Sequence, residues 1–136
     1  MKIIALDIGD RWTGIALSDP LGMFARPYDT AKTTELTSYL STLIAKESIS
    51  IIVVGLPITL RGTESDQTKK VKAITHALEK QFDTIEFILW DERLTSKQAA
   101  RIQPTKTKEA KLRSHAIAAA LILTSYLDYR LLHANQ

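Results

Sequence analysis

The stretch Lys2–Ser18, KIIALDIGDRWTGIALS, decides the fold. Its first half, Ile3-Ile4-Ala5-Leu6, is an apolar run that ends in Asp7, with Ile8 and Gly9 following at once. Thr13-Gly14-Ile15-Ala16-Leu17 then leads to Ser18 and Asp19. Two strand-like runs joined by a short turn containing Gly and Asp read as a β-hairpin. A strand that shows no polar alternation is buried on both faces, so the first run belongs in the middle of a sheet. Asp7 stands where that strand must surface. There a rigid element holds its carboxylate, and Gly9 lets a large polar ligand approach the backbone closely. Taken alone, Asp-x-Gly also suits a plain solvated turn acid.

The 136 residues, 45% of them hydrophobic, suit one globular domain spanning 1–136. A chain of this size buries roughly two thirds of its unfolded surface. Cysteine is absent, which excludes disulfides, thiolate chemistry and Cys-ligated zinc. The N-terminus runs directly into a strand, without a cationic region and cleavage site. The longest apolar run, Ala116–Leu123, is far short of the ~20 residues of a membrane span. A soluble, cytoplasmic protein with no membrane partner is the expectation. Net charge is only +3, but it is unevenly spread. Arg93, Lys97, Arg101, Lys106, Lys108, Lys111 and Arg113 face a single acid, Glu109, so this stretch is +6 and the remainder −3. Basic charge concentrated beside an acidic pair suits a polyanion partner, and a solvated helix face is the other reading.

After the hairpin, Leu21–Tyr28 reads as a third strand, with Pro20 and Pro27 at its ends or on a sheet edge. Leu36, Tyr39, Leu40, Leu43 and Ile44 form the buried stripe of a helix over about Thr34–Glu47. Ile51–Gly55 is an interior parallel strand, followed by a loop containing Pro57, Arg61 and Gly62. A second helix starts near Thr63–Ser65, with Val71, Ile74, Leu78 and Phe82 as its stripe. Ile85–Trp90 is the last strand and delivers Asp91-Glu92-Arg93. Thr95–Gln98 resembles a capping box opening a short helix to about Ile102, which Pro104 stops. Thr105–Lys111 reads as a mobile basic loop, and Ser114 as the cap of a final helix over about His115–Leu132. This order gives an α/β fold, a ribonuclease-H-like mixed sheet of about five strands flanked by helices. Sites in open α/β sheets form outside the carboxyl ends of the parallel strands, where Asp7 and Glu92 both fall.

Phosphodiester hydrolysis without cysteine commonly uses two divalent metals ~4 Å apart. Mg2+ or Mn2+ needs hard oxygen ligands, so carboxylates from separate elements must converge. Asp7 and Glu92 supply two. A third ligand should come from the start of the final helix, where the available residue is His115.

Four blocks in order then carry a resemblance over nearly the whole chain. They are Asp7-Ile8-Gly9 with Gly14–Asp19, Gly55-Leu56-Pro57 with Arg61–Glu64, Asp91–Thr95, and Ala119–Leu123. Together they resemble the YqgF/RuvX family, Holliday junction resolvase-like nucleases implicated in processing the small-subunit ribosomal RNA precursor. The resemblance implies Asp7 as a bridging metal ligand and Glu92 as a second, with Asp91 and Arg93 supporting the strand end or engaging phosphate. It places an Asp where this chain has His115, a neutral ligand that suits manganese better than magnesium. Trp12 replaces a residue that is commonly basic, and packing at the hairpin suits it better than stacking on a base.

The expectation is therefore a metal-dependent endonuclease with catalytic and metal-binding Asp7, Glu92 and His115 and with Mg2+ or Mn2+ as cofactor. Its substrate would be precursor 16S rRNA or branched, Holliday-junction-like DNA, and it would act as a monomer or homodimer. Arg61, Arg93, Lys97, Arg101, Lys106, Lys108, Lys111 and Arg113 would contact phosphates, which position a nucleic acid without reading its sequence. The alternatives are a nucleic-acid-binding module that lost turnover through His115, and a ribosome-assembly factor using the same basic face.

Overall fold

The computed structural model describes residues 1–95 and 107–134. Five strands, β1 (Lys2–Ile8), β2 (Trp12–Ser18), β3 (Ala25–Lys32), β4 (Ile49–Leu56) and β5 (Glu86–Asp91), form one sheet in the order β3-β2-β1-β4-β5. The first three make an antiparallel meander, while β4 and β5 run parallel to β1. Helices α1 (Leu36–Lys46), α2 (Asp66–Gln81) and α3 (Lys108–Leu132) pack on the sheet. As expected, β1 is central, and Ile3 through Leu6 are fully buried.

Alternation along the strands divides the core into two layers. Ile4, Leu6, Ile15, Leu17, Ile52 and Val54 face α1 and α2, packing on Leu36, Leu40, Leu43, Val71 and Leu78. Ile3, Ala5, Ala16 and Val53 face α3, against Ala119, Leu123 and Leu127. The second layer is built from small residues, which brings the backbones together. At Gly14 the contact is closest, for a Cβ there would collide with the backbone carbonyl of His115 and the amide of Ala116. Thr30 of β3 adds a hydrogen bond from Oγ1 to the Leu112 carbonyl.

Several expected boundaries move. The third strand lies at Ala25–Lys32 rather than Leu21–Tyr28, because Asp19 captures the amides of Met23 and Phe24 at 2.8 Å and prolongs the turn. Pro27 sits in this edge strand, where its missing N–H costs no ladder bond. The final helix begins seven residues before His115, at Lys108, capped by Thr107 accepting from the Ala110 amide at 3.2 Å. Ser114 is not a cap. Its hydroxyl donates to the Lys111 carbonyl at 2.6 Å inside the helix, so Lys108–Lys111 is helical rather than loop. α2 is capped by Ser65, whose Oγ accepts from the Thr68 amide at 3.2 Å while Thr68 Oγ1 accepts from the Ser65 amide at 3.1 Å. The short helix expected to run to Ile102 lies outside the described residues. Among the described residues no helix is long and apolar enough to cross a membrane.

Since backbone cannot yield at Gly14 as a flexible side chain could, Gly14→Ala should lose about 3 kcal/mol or more of stability, at the upper end of overpacking costs. Urea denaturation followed by circular dichroism measures it, and an unchanged midpoint would contradict the packing.

Candidate active site

Asp7 is the penultimate residue of β1 and, by alternation with Ile3 and Ala5, faces α3. Glu92 does not lie in the last strand. It opens the 3-10 turn Glu92–Leu94 just after β5. β4 runs between the two strands, and its Gly55 lets their side chains meet. A Cβ on Gly55 would stand 2.8 Å from Glu92 Oε1 and 3.3 Å from its Cγ. The Glu92 side chain therefore crosses the bare end of β4 and hydrogen-bonds the side chain of Asp7.

Two carboxyl groups in contact and withdrawn from water do not both ionise readily. Burial, then the negative charge of Asp7, then the shared hydrogen bond push Glu92 up to about 7. Asp7 is also raised, chiefly by burial, with His115 and the bond from Glu92 acting in the opposite sense. The pair therefore holds a proton to higher pH than either acid would alone in water.

The turn beyond Asp7 is held rigidly. Gly9 donates its amide to the Trp12 carbonyl at 2.9 Å, and Thr33 Oγ1 donates to the Gly9 carbonyl at 2.7 Å. Thr13 Oγ1 completes the chain by donating to Thr33 Oγ1 at 2.9 Å. Gln67 of α2 reaches the Ile8 carbonyl at 3.3 Å.

His115 lies two turns into α3, with its backbone carbonyl against Gly14, the register partner of Asp7. Its side chain lines a cleft with Arg11, Trp12, Lys108, Lys111 and Leu112. Among the described residues, no three His, Asp or Glu side chains form a group that could hold a metal ion. The structure thus joins Asp7 to Glu92 and brings His115 near without gathering all three.

The basic residues divide by position. Arg93 is engaged by Asp91, with Nε and Nη2 at 3.0 and 2.7 Å from Oδ2, and this pairing holds the Asp91 carboxyl below its usual range. The Arg93 guanidinium also borders Gly62, linking the end of β5 to the loop after β4. Arg61 is exposed on that loop. Lys108 and Lys111 share the helix face of His115, whereas Arg113 turns to a separate cleft with Tyr28, Asp29 and Glu109. Lys97, Arg101 and Lys106 lie outside the described residues. Reading the sequence singled out neither Gly55 nor Gly14 for this role. The available signal was a glycine interrupting a β-branched strand, which marks a close approach.

The sheet order, the long helix across it and the paired acids at its carboxyl end define a ribonuclease-H-like fold of the resolvase type. A solved structure of Thermus thermophilus RuvC in complex with a Holliday junction substrate shares it, with a TM-score of 0.60 over 96% of each chain at 14% identity. A fowlpox virus resolvase in complex with Holliday junction DNA gives 0.51 over 98% of each chain, also at 14% identity. The RuvX family model, Holliday junction resolvase, matches residues 1–129, and the chain belongs to that family. Its relatives include proteins named "Putative pre-16S rRNA nuclease". The one from Rubrobacter xylanophilus is 37% identical, covering 93% of this chain and 92% of its own. The one from Dehalococcoides mccartyi is 40% identical, covering 89% and 93%.

A raised carboxyl pKa has a defined stability signature. Between the ordinary glutamate value of 4.5 and about 7, the folded chain holds a proton that the unfolded chain has released. Its contribution is therefore complete below the lower value and lost as pH rises through the upper one. The melting temperature of the metal-free protein should fall between pH 5 and pH 8, and Glu92→Gln should remove most of that slope. A wild-type profile flat across this window would contradict the carboxyl contact.

Proposed function

We propose that this chain is a divalent-metal-dependent endonuclease that hydrolyses phosphodiesters of structured nucleic acid, with 5′-end processing of the small-subunit rRNA precursor as its principal task. One observation carries the reading: acids from the first strand and from the end of the last meet over a glycine at the carboxyl edge of the parallel strands. The names of the relatives support the RNA substrate.

The donor set fits Mg2+ or Mn2+. It offers hard carboxylate oxygens, and a cation would offset both the burial of Glu92 and the neighbouring charge of Asp7. Such a cation supplies a water of lowered pKa and stabilises the leaving oxygen. Asp7 and Glu92 would hold it, and the pair must give up its proton to do so, which makes loading stronger at higher pH. His115 would approach from α3, at the third position where an acid would be the stronger ligand for magnesium. Arg61, Lys108 and Lys111 would hold the backbone on either side, with affinity that falls steeply with salt.

A second reading, a nucleic-acid-binding or ribosome-assembly factor with little turnover, is favoured by the lack of a three-ligand group among the described residues. Cleavage of a precursor-rRNA 5′ flank and of a four-way DNA junction, each with Mg2+ and with Mn2+, separates the readings. Removing a metal-holding carboxylate forfeits several kcal/mol of transition-state stabilisation, so Asp7→Asn and Glu92→Gln should each slow cleavage by about 1,000-fold or more. Activity unaltered in both variants would point to a contaminant.

Metal loading has its own readout. Mn2+ should raise the melting temperature of the wild type at pH 8 and leave Glu92→Gln unmoved. His115→Asp should increase magnesium-supported cleavage, and no response would separate His115 from the metal site.

A further inference from the structure

The cleft beside His115 is formed by two elements that meet only in the folded chain. Arg11 and Trp12 come from the turn and first residue of β2. Lys108, Lys111, Leu112 and His115 come from one face of α3, at the helical spacing i, i+3, i+4, i+7. The cleft encloses about 430 Å3, within the roughly 300–1,000 Å3 of small-ligand sites. Its chemistry is one-sided. Among the described residues, none of Arg11, Lys108 and Lys111 forms an ion pair, while the neighbouring acids are turned elsewhere. Asp10 pairs with Lys70 of α2 at 3.5 Å, and Glu109 lines the separate cleft toward β3.

Trp12 gives this cationic cleft a flat apolar wall. The indole is only partly buried, and the Arg11 guanidinium carbon stands 6.0 Å from its ring centroid. Neither core layer of the sheet includes it. Trp12 also shares a sheet face with Gly14, whose register partner is Asp7, so the cleft opens two residues along β2 from the acid pair. An aromatic platform in a cleft lined by three cations has the composition of a site for an unpaired nucleotide, base on the ring and phosphate on the lysines.

We infer that the cleft between the β1–β2 turn and the first two turns of α3 binds one unpaired nucleotide flanking the cleavage point, its base stacked on Trp12 and its phosphate held by Arg11, Lys108 and Lys111. This rests on the nuclease reading for its place in a reaction, but its binding chemistry stands apart from turnover. The consequence is a preference for single-stranded flanks. A base inside a duplex cannot reach the ring without being unstacked.

The test measures binding alone, in metal-free buffer, on the full chain carrying Asp7→Asn so that no cleavage intrudes. Fluorescein-labelled hexanucleotides, RNA and DNA, are titrated by anisotropy alongside an abasic hexamer of equal phosphate number and a blunt RNA duplex. Base–aromatic stacking is sequence-tolerant, and its loss costs about tenfold in affinity or more. Trp12→Leu should therefore weaken single-strand binding about tenfold while leaving the abasic and duplex affinities unchanged, and Trp12→Phe should restore most of the loss. Lys111→Ala should weaken all four probes and reduce the salt slope by about one counterion. Circular dichroism and melting temperature establish that Trp12→Leu is folded. In a Trp90→Phe background, indole emission from Trp12 should be quenched by the hexamers and not by the abasic strand.

Equal affinity of wild type and Trp12→Leu for single strands would overturn the proposal, as would an equal loss on every probe or Trp12 quenching by the abasic strand. Should Trp12→Leu not fold, Trp12→Phe and the quenching experiment decide alone. Failure of cleavage with selective base-dependent binding intact would sink the nuclease reading and leave this site standing.

Discussion

The approach of the α3 backbone to β2 at Gly14 is the constraint on which the site depends. The carbonyl of His115 occupies the volume that any side chain at position 14 would need. Because Asp7 is paired with Gly14 across the hairpin, this contact also fixes the distance between helix and acid. Ala5, Ala16, Ala119 and Ala120 extend the same economy along the interface, so that this stretch of the helix rests on the sheet through small residues. Bulkier residues follow along the helix, with Ile122 packed against Gly55, Leu123 and Leu127 beyond it, and Trp90 against Tyr126, edge to face at 5.5 Å. Trp90 further donates from Nε1 to Ser125 at 3.1 Å, and Ser125 donates to the Leu94 carbonyl at 2.9 Å. These bonds fasten the turn carrying Glu92 to the far half of the helix. The first half of α3 thus positions the neighbourhood of Asp7, and the second half that of Glu92.

Electrostatics then follows from geometry. Gly55 leaves room for the Glu92 side chain to cross β4, and partial burial weakens the screening of the two acids by water. The protein holds this unfavourable pair because the surrounding sheet is over-determined by two apolar layers. Local strain of that kind gathers at functional positions and is compensated by packing elsewhere. Asp91 provides the contrast. One residue earlier in the chain, it faces the other way, is satisfied by the Arg93 side chain and amide, and titrates below the normal range.

Much of this was legible in the residues. The uninterrupted apolar run Ile3–Leu6 gave away the central strand, and the helix stripes of Leu36–Ile44 and Val71–Leu78 were evident from spacing. The carboxyl-end location of Asp7 and Glu92 followed from element order. What remained hidden had physical causes. Thr107 caps the last helix through a side chain competing for the Ala110 amide, and Ser114 offered an equally good cap on paper. The delayed start of β3 depends on Asp19 accepting two amides, a three-dimensional choice that local propensity does not encode. Arg113 and Lys111 are indistinguishable as charges in sequence, yet a helical rotation sends one toward Asp29 and the other toward Trp12. The meeting of Glu92 with Asp7 was expected, but not that it runs across β4 at Gly55, which depends on the strand order.

The sheet order has a bearing on how such a molecule comes into being. β1, β2 and β3 are joined by neighbouring turns, whereas β4 and β5 reach their places only through crossovers that close large loops. The two acids are therefore strangers until the outermost parallel strand has docked. A nascent or partly unravelled chain retains Asp7 on its meander but has no partner to set against it. The acid pair on this architecture is thus a property of the completed sheet and of no smaller part of it.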